Sequence, residues 1–405
     1  MARRKRSPFW FFIIAIAVLL GAAKLTDWVL PALESFGRQP RAAAPHTPSA
    51  AVEGPRDSAE RMAKMRADKK IINVHEHVER LEDAERLLEV MDRFGVGKTI
   101  LVGSSWFTIT LDESVGFTRV DENNEELLRV VKAHPGRFEA WPTFDPHDPK
   151  NLEKFKSQVE RGATGLKLFM GHGYVKRSDG QYMFHTMALD DPRMFPVYDY
   201  CQENFLPIMY HVQLSPEPGP GISDEFVAVL KKFPDMKVIC PHYMLSSGLD
   251  SRLREMLDMF PNLYTDISYG HDSFIVDGME RIDKAPEKFV DLFTKYPGRF
   301  MWGTDLVVTT HASKSVPWMA ERFQTYFDML TEAKFTTPLV KGREMRGVAI
   351  DGPELERILH QNYEDFSALR PMGTRTSGDV DWSRMGKAAS NTGRKPGEML
   401  PPPKK

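Results

Sequence analysis

Two imidazoles one residue apart, His75 and His77, close an apolar run that begins Ile71-Ile72-Asn73-Val74. Side chains alternate across a strand with period two, so both rings point the same way and can converge on one ion, while Glu76 turns to the opposite side. Twelve histidines in 405 residues make a chance His-x-His common, so the pair needs context. That context is four further polar residues, Lys167, His211, His242 and Asp305, each at the end of an apolar run. Taken singly, a His after a strand is more often hydrogen-bonded scaffold than ligand, and Gly-Thr-Asp is a common turn. Lys167 has a plain alternative as a surface or substrate-facing cation at the rim. Three His and one Asp gathered at one place form something less ordinary: the nitrogen and oxygen set of a catalytic zinc, with a position left for water.

The elements that must gather them follow a regular order. From Lys69 onward, strand-like runs at 70–76, 99–104, 138–143, 165–169, 206–212, 237–241, 263–267 and 299–304 alternate with helical patterns. The helical patterns fall at 84–94, 124–133, 152–161, 192–204, 224–233, 251–260 and 285–295, followed by 315–331 and a closing helix at 353–369. Eight βα units predict an α/β fold of the (β/α)8 TIM-barrel type, in which functional residues sit at the C-terminal strand ends. All of the residues named above fall at such ends.

The same stretch, from about Lys69 to Leu369, resembles the amidohydrolase superfamily. It is most similar to the branch with aminocarboxymuconate-semialdehyde decarboxylase, resorcylate decarboxylases and lactone hydrolases. The matching motifs are His75-Glu-His77, Gly165-Leu-Lys167-Leu, Leu206-Pro-Ile-Met-Tyr-His211, Pro241-His242, Pro261-Asn-Leu-Tyr-Thr-Asp266, Trp302-Gly-Thr-Asp305 and Ile358-Leu-His-Gln-Asn362. The resemblance implies His75, His77 and His211 as metal ligands, Asp305 as a ligand or partner of the bound water, and His242 as acid/base or carbonyl polariser. The implied cofactor is one divalent ion, zinc first, with manganese or iron as alternatives. In two-metal relatives a carboxylated lysine on strand four bridges the ions, which is the second-metal or substrate role open to Lys167. This chain departs from the pattern in two places. Tyr243-Met-Leu-Ser-Ser follows His242 where relatives have small residues, implying a narrower pocket; and the insertion at 170–191, with His172, Arg177, Tyr182 and His185, is long for a βα loop.

The resemblance implies a hydrolase of a small ester, lactone or amide that uses metal-activated water. The alternative is a metal-dependent decarboxylase of a small aromatic or unsaturated carboxylic acid. A binding or sensor module is disfavoured because no motif position is lost. Charge agrees with a small-molecule partner, since 54 basic against 56 acidic residues give no support for nucleic-acid binding. The oligomeric state stays open, a dimer included. Cys201 and Cys240, in apolar surroundings, predict buried thiols and no disulfide framework.

The remaining segments concern address. Arg3, Arg4, Lys5 and Arg6 precede an uncharged apolar run at 8–23, with Trp10 near one end and Trp28 beyond Lys24. Sixteen residues make about 24 Å of helix, short for a span, but a snorkelling Lys24 and the apolar residues to Leu30 extend it. Residues 1–33 therefore predict a transmembrane signal anchor, or a cleaved signal peptide using Gly21 and Ala23, with the rest of the chain exported. Residues 34–68, rich in Ala, Pro, Arg and Ser, predict a flexible linker; 69–370 the barrel; and 371–405, ending Pro-Pro-Pro-Lys-Lys, a disordered tail.

Overall fold

The structure, a computed structural model, describes residues 56–104, 117–169, 174–176, 182–184, 187–212, 222–244 and 250–369. Its centre is a ring of parallel strands: β1 (Ile71–Val78), β2 (Val96–Val102), β3 (Phe138–Trp141), β4 (Leu166–Leu168), β5 (Ile208–Tyr210), β6 (Val238–Ile239), β7 (Leu263–Asp266), β8 (Phe300–Met301) and β9 (Leu306–Val308). They form two parallel sheets, β9-β1-β2-β3 and β8-β7-β6-β5-β4. Backbone bonds close both seams. Thr164 N donates to Ala140 O at 3.0 Å and Lys167 N to Pro142 O at 2.8 Å on one side, and Val74 N to Trp302 O at 3.0 Å on the other. β8 and β9 are thus two halves of an interrupted eighth strand, and the fold is the expected (β/α)8 barrel.

Ile72, Val74, Ile100, Val102, Trp141, Met209, Ile239 and Met301 fill the interior, plugged from one end by Tyr363 and Phe366 of the closing helix. The second, larger core lies between the strands and the surrounding helices. The helix Leu81–Phe94 shows why these segments coil: Ala84, Leu87, Val90, Met91 and Phe94 recur at helical spacing and are buried. Gly95 ends it in the left-handed region (φ 70°), where a Cβ would stand 2.2 Å from Arg66 Cα.

Arg66 belongs to an element that corrects the linker expected over 34–68. Residues Arg56–Ala67 are helical, and Met62 and Met65 are buried in the core. Arg61 pairs with Glu356 at 2.9 Å, and the Arg66 guanidinium lies 4.9 Å from the Phe327 ring centroid. Two methionines and a cation over an aromatic ring anchor a helix whose own apolar periodicity is too weak to announce it. The helix Asp272–Lys284 was also not expected; it buries Ile275, Met279 and Ile282 around Gly278, where a Cβ would stand 2.4 Å from the Tyr269 ring. In the insertion, Tyr174–Lys176 pairs antiparallel with Tyr182–Phe184, while His172, Arg177 and His185 lie outside the described residues. Among the described residues no helix is long and apolar enough to cross a membrane. The apolar run at 8–23, residues 34–55 of the linker expected over 34–68, and the tail expected at 371–405 lie outside them.

Candidate metal centre

β1 reaches the site by a change of phase. Ile72 and Val74 face the barrel interior, and strict alternation would send Glu76 in after them. Instead the pairing with β2 shifts register between Asn73 and Glu76, a bulge that turns His75 and His77 inward together. Their ring centroids are 5.4 Å apart. The eighth strand meets them at its break, where Asp305 adopts a left-handed backbone (φ 53°) and its N–H bonds His75 O at 2.8 Å.

Asp305 uses its two oxygens differently. Oδ1 lies 3.2 Å from His75 Nε2 and 3.1 Å from His77 Nε2, while Oδ2 lies 3.4 Å from His242 Nε2. Gly270 makes room for that carboxylate, since a Cβ there would stand 2.5 Å from Oδ2. His242 stacks on His75 at 5.3 Å and, with Tyr243 and Met244, forms three successive left-handed residues (φ 60°, 52° and 57°). Such backbone strain persists only where its surroundings enforce it, and it collects at functional sites. Tyr243 and Met244 are fully buried in the outer core, where Tyr243 packs against Phe289 and Phe300, so these two residues do not narrow the pocket.

The outward nitrogens are spoken for. His75 Nδ1 bonds Asp266 Oδ2 at 2.8 Å, and His77 Nδ1 bonds Ser104 Oγ. Asn123, from the helix Val120–Ala133, holds Ser104 in turn through the Ser104 N–H at 2.9 Å. Asp266 Oδ1 accepts from His242 N at 2.9 Å, Ser268 N at 3.0 Å and Ser268 Oγ at 2.6 Å. One buried carboxylate therefore anchors both His75 and the His242 turn. With Nδ1 engaged outward, the Nε2 atoms of His75 and His77 are left to face Asp305.

Protonation follows from burial. Burial pushes the His75 pKa down from 6.5 to about 4, and lowers His77 as well, so both rings are neutral with a lone pair to offer. Burial alone would raise Asp305, but as pH falls the rings that take up protons beside it, His75 first, outweigh burial and keep the carboxyl ionised well below its usual range; Asp266 is lowered in the same way, chiefly by His75. Neutral imidazole nitrogens and an ionised carboxylate oxygen within 4.8 Å of one another are donors a divalent cation accepts, and His75, His77 and Asp305 meet that description.

Two expected residues stand differently. Lys167, far from a surface cation, is fully buried, with Nζ 3.3 Å from His75 Nε2 and 3.4 Å from Met209 Sδ. Burial lowers its pKa to about 8. His211 is buried beside His242, ring centroids 5.0 Å apart, and lies outside the His75–His77–Asp305 group. Phe169 stacks against both His77 and His211, each 6.4 Å away. The residues that sequence reasoning passed over are Asp266, Ser268 and Ser104. Asp266 carried a signal, since it closes the seventh strand as His211 closes the fifth; the two serines carried none.

A family model described as amidohydrolase matches residues 72–362. The chain belongs to the amidohydrolase family. The stretch that matches runs from β1 to the closing helix, so it contains every residue of the centre just described. No curated protein matches this amidohydrolase. Among solved structures, an uncharacterised TIM-barrel protein from Bordetella bronchiseptica is 18% identical with a TM-score of 0.46, covering 73% of this chain and 97% of its own. A 2,6-dihydroxybenzoate decarboxylase from Rhizobium is 14% identical, TM-score 0.42, covering 73% and 98%. A 4-oxalomesaconate hydratase from Rhodopseudomonas palustris is 14% identical, TM-score 0.46, covering 73% and 95%. At that similarity nothing about reaction or substrate transfers to this amidohydrolase.

Proposed function

We propose that the chain is a metal-dependent hydrolase of a small ester, lactone or amide. The observation that carries this is the division of Asp305 between two tasks, Oδ1 toward the His75 and His77 nitrogens and Oδ2 toward His242. His75, His77 and Asp305 would hold one divalent ion, zinc in our proposal, with manganese or iron distinguished by metal analysis. His211 is kept as the third imidazole of the set on the family resemblance alone. The ion, when bound, supplies Lewis acidity and brings the pKa of a bound water to about 7. Asp305, held ionised among the imidazoles, is the proton acceptor. His242 is its acid/base partner, 3.4 Å from Oδ2 and able to pass a proton to the leaving oxygen or nitrogen. Lys167, buried against His75, faces the site as a substrate-side cation or as a second-metal lysine.

Decarboxylation of a small aromatic or unsaturated carboxylic acid is the second proposal, and Phe169 favours it. Its ring lies beside both His77 and His211, with centroids 6.4 Å away, so an aromatic group stands among the candidate ligands where a planar substrate would have to pack. Asp305 would then handle a proton on carbon. Incubation with ester, lactone, amide and phenolic-acid panels separates the two: acid release without carbon dioxide supports the hydrolase, carbon dioxide release overturns it in favour of the lyase. We further propose that the barrel is exported and tethered by the apolar run at 8–23, on the strength of the basic cluster Arg3–Arg4–Lys5–Arg6 ahead of it.

A further inference from the structure

We infer that Glu76, the residue between the two histidines, is a positioning residue that fixes the Asp305 carboxylate on the metal side of the site. The inference rests on the proposed role of Asp305. Glu76 is fully buried, and its carboxyl group crosses to the broken eighth strand. Oε2 accepts from Leu306 N at 2.6 Å, and Oε1 accepts from Thr304 Oγ1 and from Asn73 Nδ2 at 2.7 Å. Thr304 and Leu306 are the residues on either side of Asp305. One carboxylate therefore clamps both chain neighbours of a residue whose left-handed backbone is uncommon outside glycine.

The clamp is reinforced from β1. Glu76 is in register with Leu306, and the Asp305 N–H is taken by His75 O at 2.8 Å. Asn73, which also bonds Thr304 Oγ1 at 3.1 Å, accepts the His75 N–H on its Oδ1 at 3.2 Å. The two sides of the bulge that turns the histidines inward are thus tied to the two sides of the break that turns Asp305 toward them. Without the clamp, the peptide units around Asp305 can relax out of the left-handed region, and Oδ1 leaves the His75 and His77 nitrogens.

Leu306 N–H and Asn73 Nδ2 donate to opposite oxygens of Glu76, while the Thr304 hydroxyl can donate or accept, which makes Glu76→Gln a probe of nearly unchanged shape. Its single amide oxygen can serve Leu306 N–H or Asn73 Nδ2 but not both. The test titrates cobalt(II) alone into the full-length chain purified in detergent, following affinity and the visible d–d spectrum, for Glu76→Gln, Asp305→Ala and the double variant. Expected are a 10- to 100-fold weaker affinity and an altered spectrum for Glu76→Gln, with no further loss when it is added to Asp305→Ala, because the effect passes through Asp305. An unchanged affinity and spectrum in Glu76→Gln, or an equal loss in both backgrounds, overturns the inference. If Glu76→Gln does not fold, Thr304→Val stands in; it should weaken cobalt in the wild-type background and not in Asp305→Ala, and an equal loss in both is again the overturning result. Failure of the underlying role is visible separately, as an Asp305→Ala single variant with wild-type cobalt affinity and spectrum.

Discussion

Changing Asp266 to Asn tests whether one outward carboxylate sets the chemistry of the inward nitrogen on His75. Oδ1 receives three donors, from His242 N, Ser268 N and Ser268 Oγ, so the amide oxygen of Asn must stay on that side. Its NH2 is then left where Oδ2 stood, 2.8 Å from His75 Nδ1. Wild-type Asp266 accepts the Nδ1 proton and leaves Nε2 as a lone pair; the Asn amide donates, and favours the tautomer with the proton on Nε2, the nitrogen facing Asp305 at 3.2 Å. A partner of this kind is worth about 10- to 100-fold in metal affinity, or about 1.4 to 2.8 kcal/mol. Three bonds to an ionised acceptor also become bonds to a neutral one, which costs about 1–3 kcal/mol of stability. The assay is competition for zinc against a chromophoric chelator, with thermal unfolding followed by circular dichroism. Ser268→Ala is the comparison: it removes a donor to Oδ1 together with the Ser268 Oγ contacts to His242 Nδ1 at 2.9 Å and His75 Nδ1 at 3.4 Å, yet leaves the Asp266 bond to His75, so its affinity should fall less than that of Asp266→Asn. A folded Asp266→Asn protein that binds zinc as tightly as wild type would refute the tautomer argument.

Asp305→Asn keeps an oxygen for weak coordination but cannot accept a proton at neutral pH. Turnover should fall about 100- to 10,000-fold, about 3 to 5 kcal/mol, with metal content falling much less; near wild-type turnover would move the proton transfer to His242. The metal-free protein should lose stability on acidification through a defined window. The folded His75 pKa is about 4 against 6.5 unfolded, so the unfolded state binds more protons between these values, and stability declines as pH falls from about 6.5 to 4, by up to about 3 kcal/mol from this residue. Chemical denaturation across that range, with His75→Gln as comparison, checks it; a flat wild-type profile contradicts it. A reporter active only after export, fused after Leu369, should be active in cells, and an inactive reporter in a stably expressed fusion overturns the proposed orientation.

Much of the centre is legible in the sequence because a barrel makes strand ends converge, and His75, His77, His242 and Asp305 each end a strand-like run. What alternation could not supply is the phase. Ile72 and Val74 face inward, and the histidines join them only through a register shift with β2, a property of the pair of strands that neither carries alone. The eighth strand reads as one run at 299–304, whereas the structure breaks it around Asp305, where Thr304 and Leu306 both donate to Glu76 from across the seam. Asp266 stood in a quoted motif without a task, since its task is to hold His75 and His242, and only their proximity reveals it. Of the readings open to Lys167, the rim cation is set aside by its burial, which charge alone does not foretell: aliphatic and aromatic neighbours enclose it, with Nζ 4.8 Å from the Phe169 centroid. The helix Arg56–Ala67 escaped notice for the opposite reason, its stability coming from Met62, Met65 and Arg66 docking on the barrel.

The central claim is that His75 and His77 present neutral Nε2 atoms to one divalent ion beside Asp305, and metal content measures it directly. Elemental analysis of the purified wild-type chain should find close to one equivalent of zinc, manganese or iron. The His75→Ala, His77→Ala double variant, shown to be folded by circular dichroism, should retain almost none. A folded double variant that still carries a stoichiometric ion would contradict the account.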